Sequence, residues 1–160
     1  MKWSFKIAEV SGISINIHLT FFLLLFLFGK YFFLAVALFF FITLHELAHS
    51  LVAKKFGIQV REITLLPIGG VASMTRMPEN PFQEFLISIA GPLTNIAVVV
   101  IFYLPLRLFL GTGEFDAMFK AFWSGEFYYV GTKFTLAWIY WMNLVLALFN
   151  LIPAFPMAIP

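Results

Sequence analysis

From Tyr31 to Ala53 the chain carries no ionisable side chain except three that crowd into its last turns, His45, Glu46 and His49. A run of this length and apolarity matches the roughly 20 residues an α-helix needs to cross the hydrocarbon core of a bilayer. It stops at Lys54 and Lys55 followed by Gly57, basic residues and a glycine that suit a helix C-terminus. Inside a membrane span an ionisable residue costs roughly 2.5–3.5 kcal/mol on insertion scales, so such groups are kept for what they do. Three of them within five residues point to chemistry rather than packing.

Composition agrees with lipid as the solvent. Hydrophobic residues make up 62% of the 160-residue chain and charged residues 11%, against about 45–50% and about 25% in ordinary soluble domains. A soluble fold of this size could not hide that much apolar surface. The reading is an all-α polytopic membrane protein, one domain over residues 1–160, with about four transmembrane helices and short interfacial β-strands. Residues 1–16 alternate apolar and polar about a Ser11-Gly12 turn and are expected to form an interfacial hairpin. They contain no apolar h-region, so the first apolar run is expected to stay in the mature protein. Membrane spans are expected at 17–29, 31–53, 82–104 and 134–149, with an external connector over 107–133. Residues 58–77, β-branched and broken by Pro67 and Gly69-Gly70, read as one or two short strands at the interface, because open strands are forbidden in lipid.

Charge sets orientation and excludes one partner class. A net charge of +2 with ten scattered basic residues makes no nucleic-acid surface. Lys2 and Lys6 precede the first span, and Lys54, Lys55, Arg61 and Arg76 follow the second. The positive-inside rule puts both groups, and with them the N-terminus and the His45–His49 end, on the cytoplasmic side. The expectation is an integral multi-pass protein of a prokaryotic cell membrane.

Cysteine is absent, which removes disulfides and thiolate metal ligands and leaves His, Asp and Glu as donors. His45-Glu46-Leu47-Ala48-His49 is an HExxH pattern. On a helix, positions i and i+4 share a face about 6 Å apart, so both imidazoles reach one metal ion. Glu46 sits about 100° around the helix, near enough to take a proton from a water activated by Zn2+ at that site.

Four segments then carry a resemblance: FITLHELAHSLVAKKFGI, LLPIGG, AGPLTN and NLIPAFPM. In this order, over residues 5–157, they resemble the site-2 protease family of intramembrane zinc metalloproteases. The resemblance implies a metalloendopeptidase that cuts peptide bonds within transmembrane segments of other membrane proteins, with membrane lipid as its surroundings. It implies His45 and His49 as zinc ligands and Glu46 as general base. Asn150 would stand near the metal and support the oxyanion, as a side-chain amide can. Gly69 and Gly70, in a segment similar to one near the family's active site, would border a strand edge that binds unwound substrate. Ala90 and Gly91 would let two helices approach closely, and Asn95 could reach toward the HELAH helix.

The chain also departs from the family. There NLIPAFPM continues into Asp-Gly-Gly, whose Asp is the third zinc ligand; here Ala158, Ile159 and Pro160 follow. His18 is the best substitute by depth, and Asp116, the sole Asp, falls in the external connector. Two His alone leave a catalytic zinc one protein ligand short. The expectation is a truncated or altered piece of a protease, the alternative an inactive relative that only binds membrane helices. A metal or ion transporter, also compatible with intramembrane His and Glu, would more often show repeated halves.

Overall fold

The computed structural model describes residues 3–124 and 132–151. The chain opens with two strands, β1 (Ser4–Val10) and β2 (Ile13–His18), paired antiparallel with Val10 opposite Ile13. Ser11 and Gly12 both adopt positive φ, 52° and 75°, the conformation a two-residue turn of type I′ requires. Helix α1 (Leu19–Phe28) follows directly. His18 caps it: its side chain accepts from the Thr20 N–H at 3.3 Å, and its Nδ1 lies 2.8 Å from Thr20 Oγ1.

A single 3₁₀ turn (Gly29–Tyr31) leads into α2 (Phe32–Lys55), which contains HELAH. Next come β3 (Val60–Leu66) and β4 (Gly69–Met74), an antiparallel hairpin. The four strands form one sheet in the order β1-β2-β3-β4. Its central pair, β2 with β3, is parallel, running from Ser14 opposite Glu62 to Ile17 opposite Leu65. Parallel neighbours need a crossover connection, and here α1 and α2 together supply it.

The sheet packs on the C-terminal half of α2. Ile13, Ala53, Ile58, Val60, Ile63 and Ile87 form a buried cluster, against which Leu47 and Leu51 of α2 also pack. The Lys54 ammonium donates to the Ser11 carbonyl, tying the end of α2 to the hairpin turn. HELAH is thereby held between a sheet on one side and the next helix on the other.

That helix, α3 (Pro81–Ser124), starts where sequence chemistry dictates. Asn80 caps it, its Oδ1 accepting from the Phe82 N–H at 2.8 Å, and Pro81 occupies the first helical position, where no N–H is needed. The run is interrupted at Gly111, with φ 68° and ψ 174°, a conformation that only glycine adopts readily. The sequence reading ended this span at Leu104 and assigned 107–133 to a connector. In the structure helical backbone runs on past Leu104 to Gly111 and resumes beyond that break to Ser124. Leu106 and Leu110 bury against Ala137 of α4 (Thr132–Leu151), and Arg107 lies 5.6 Å from the Phe115 ring centre.

Two helical segments, Phe32–Lys55 and Pro81–Gly111, are long and apolar enough to cross a membrane; Thr135–Leu151 is a shorter apolar helix. Their outer faces suit lipid, with Phe33 80% and Leu108 76% exposed, far beyond what a water-facing surface tolerates in a cluster. The fold is mostly helical with one small sheet.

Candidate metal centre

His45 and His49 lie one turn apart on the face of α2 that meets α3. Their rings stand edge to face with centres 4.6 Å apart, and the two Nε2 atoms approach to 3.0 Å. Ligands about 2.0–2.1 Å from one tetrahedral zinc ion stand about 3.3 Å from each other, so the nitrogens already converge on one point. His49 Nδ1 lies 2.6 Å from the Ile87 carbonyl of α3. A carbonyl only accepts, so the ring proton sits on Nδ1 and Nε2 presents a lone pair. Metal-binding histidines are nearly always oriented this way by an acceptor behind the ring.

The third participant is a glycine. A Cβ built on Gly91 would stand 2.3 Å from His49 Nε2 and 2.6 Å from His45 Nε2. No side chain fits there, so α3 comes this close to both nitrogens only because residue 91 has none. Pro92, fully buried, follows at once. It has no N–H for the Ser88 carbonyl and its ring crowds that group, which loosens the α3 ladder over the turn facing the histidines. The sequence marked Gly91 only as a site of close helix approach. The Ile87 carbonyl gave no signal at all, because a backbone group leaves no trace in residue identity.

Glu46 faces the sheet rather than α3. The Cβ position of Gly70 on β4 lies 2.5 Å from Glu46 Cγ and 3.5 Å from Ile42 Cγ2, so β4 passes directly over the carboxylate arm. Gly69, at φ 137° with no other group within 4 Å of its Cβ position, shapes the β3–β4 turn and stands clear of Glu46. Asn150 is half-buried on α4 and donates from Nδ2 to the Leu146 carbonyl of its own helix at 2.8 Å.

His18 is engaged as the α1 cap. Among the described residues no group of three or more His, Cys, Asp or Glu is placed to share an ion. Ala158 lies outside the described residues. The donor set still fits a metal ion, through two convergent imidazole nitrogens, a fixed tautomer for one ring and a glycine where any side chain would block both.

The sequence profile of Peptidase family M50 matches residues 33–157. The chain belongs to this family. A zinc metalloprotease of Methanocaldococcus jannaschii is 37% identical over 166 residues, covering 98% of this chain and 43% of its own. A Synechocystis protein provisionally named as a zinc metalloprotease is 36% identical over 131 residues, 77% of this chain and 28% of its own. The solved structure of a site-2 protease from M. jannaschii aligns with a TM-score of 0.66 at 35% identity, over 97% of this chain and 67% of that one. The chain thus spans less than half the length of the curated relatives named here. As an M50 chain it joins a site-2 protease fold to an HExxH helix whose two imidazoles converge.

Proposed function

We propose that this chain is the core of an intramembrane zinc metalloendopeptidase that hydrolyses peptide bonds within transmembrane segments of other proteins. The observation that carries the proposal is the pair of Nε2 atoms 3.0 Å apart, facing a glycine at which any side chain would run into both rings. Zinc, when bound by His45 and His49, supplies Lewis acidity and a water whose pKa falls to roughly 7.

The chain's own residues do the rest. Glu46 takes the water's proton on its carboxylate and delivers it to the leaving amine nitrogen, the two halves of general base and acid work. Gly70 lets β4 run close over Glu46, so a substrate strand laid beside Gly69 and Gly70 would arrive next to that carboxylate. Substrate must arrive extended, since a helical amide is shielded by its own turn, and backbone pairing with a sheet holds it so. Asn150 Nδ2 would support the developing oxyanion by leaving its bond to Leu146. The spans form a multi-pass protein with Lys54, Lys55, Arg61 and Arg76 on the cytoplasmic side.

A second reading rests on Ala158: a relative that grips membrane helices without cutting them. One experiment separates the two. Zinc is measured by elemental analysis in the detergent-purified chain, in an Ala158→Asp form, and in a His45→Ala, His49→Ala double variant, beside cleavage of a transmembrane-peptide reporter. The expected result is about one zinc per chain, the stoichiometry of a single site, lost in the double variant, with cleavage following the zinc. Zinc without cleavage in both other forms would favour the helix-binding reading, and no zinc in either would end the metal reading.

Gly70→Ala tests the sheet's part. The added carbon displaces the Glu46 side chain while the imidazoles stay put. Zinc content should be unchanged and cleavage lower by roughly 10–100-fold, the scale at which about 1 Å of misplacement is felt. Loss of zinc in this variant would place β4 in a different role.

A further inference from the structure

Ile87, Gly91 and Asn95 are spaced four residues apart and form one stripe on α3, opposite His49 and His45 on α2. Ile87 holds His49 through its carbonyl, and a side chain at Gly91 would run into both rings. Asn95 faces His45. It is 1% exposed, and though the two side chains are neighbours, neither its Oδ1 and Nδ2 nor His45 Nδ1 makes a well-aligned hydrogen bond. Burying polar groups without a well-made hydrogen bond is costly, and here two such groups are neighbours across one helix contact.

We infer that Asn95 is the positioning residue for His45, filling for that ring the part the Ile87 carbonyl fills for His49. This inference rests on the metal reading of the site. The reasoning follows the ring protons. His49 commits its proton to Nδ1, so in the 3.0 Å contact between the two Nε2 atoms the proton belongs to His45 Nε2. To hold an ion through both Nε2 atoms, His45 would have to give up that proton. The neutral His45 ring must then carry its proton on Nδ1 and needs an acceptor there. A carbonyl could serve that state alone. A carboxamide serves both tautomers, donating from Nδ2 to a bare Nδ1 or, turned over, accepting on Oδ1 from a protonated one. Asn95 therefore lets His45 change tautomer as the ion enters without leaving a buried nitrogen unpaired.

The test is zinc affinity, measured by chelator competition on the full chain in detergent, for the parent, Asn95→Leu and Asn95→Asp. Asn95→Leu should bind zinc about 10–100-fold more weakly, the usual cost of removing such a partner. Asn95→Asp keeps the acceptor and should restore affinity to the parent's level or above, which a mere packing role would not do. Equal affinity in the parent and a folded Asn95→Leu chain would overturn the inference, as would an Asn95→Asp chain no tighter than Asn95→Leu. Because Asn95→Leu can also fail to fold, the parent alone supplies a second measurement. With ¹⁵N-labelled histidine and zinc added, the His45 ring should carry its proton on Nδ1, and a bare Nδ1 there overturns the inference. A parent that takes up no zinc removes the metal reading and this inference together. Binding by the parent with no effect at residue 95 removes the inference alone.

Discussion

A Gly91→Ala chain should hold no zinc at concentrations that saturate the parent. The added carbon would stand 2.3 Å from His49 Nε2, 2.6 Å from His45 Nε2 and 2.7 Å from His45 Cε1, distances no carbon–nitrogen contact sustains. Either the rings swing away from each other, or α3 retreats from α2 and draws the Ile87 carbonyl off His49 Nδ1. Both responses damage the donor set itself. The affinity loss should therefore exceed the roughly 10–100-fold that follows removal of one supporting hydrogen bond. The strain on the fold is smaller, about 1–3 kcal/mol for one misplaced methyl in a packed contact, so the chain should still purify. Gly113→Ala is the control, since nothing lies within 4 Å of its added carbon. Zinc titration of the two alanine variants decides the matter, and near-parental affinity in Gly91→Ala would place the ion elsewhere.

Glu46→Gln should separate binding from chemistry. Glutamine matches glutamate in shape, so it fits under Gly70 on β4, but it cannot accept the proton that general base catalysis requires. Zinc content should match the parent, since both converging nitrogens come from other residues. Cleavage should fall by about 10²–10⁴-fold, the usual contribution of a positioned acid–base group. The measurement is reporter cleavage in whichever form cuts, the parent or Ala158→Asp, at equal zinc occupancy. Retention of more than about a tenth of the activity, far above that range, would assign the base to another residue.

Local signals were legible in the sequence and long-range ones were not. The pairing of His45 with His49 follows from helical spacing alone. The β1–β2 hairpin follows from a Ser11-Gly12 turn between alternating residues, and the strands of residues 58–77 from their β-branched composition. The parallel pairing of β2 with β3 was hidden because it joins segments separated by two helices, and no residue type announces such a partner. The run of helix beyond Leu104 was hidden by Arg107, Glu114, Asp116 and Lys120, which read as a polar connector. Contact with α4 through Leu106 and Leu110 outweighs that local preference. Asn150 was placed by resemblance, and its geometry, a bond to its own helix, is one that sequence does not encode. His18 had the depth of a ligand but the neighbour of a cap, since Thr20 two residues on engages its ring.

The crossover between β2 and β3 also dictates an order of assembly. As the chain emerges from the ribosome, β2 is made long before β3, and both apolar helices lie between them. The sheet cannot close until α1 and α2 have brought the chain back beside β2, because loop closure must precede any reward from a distant strand. Until then Ile13 and Ile15 wait on an open strand edge, and the carboxylate of Glu46 has no β4 above it. The helical crossover is thus a precondition for the complete sheet, and a chain halted before β4 would carry the HELAH residues without the strand that lies over Glu46.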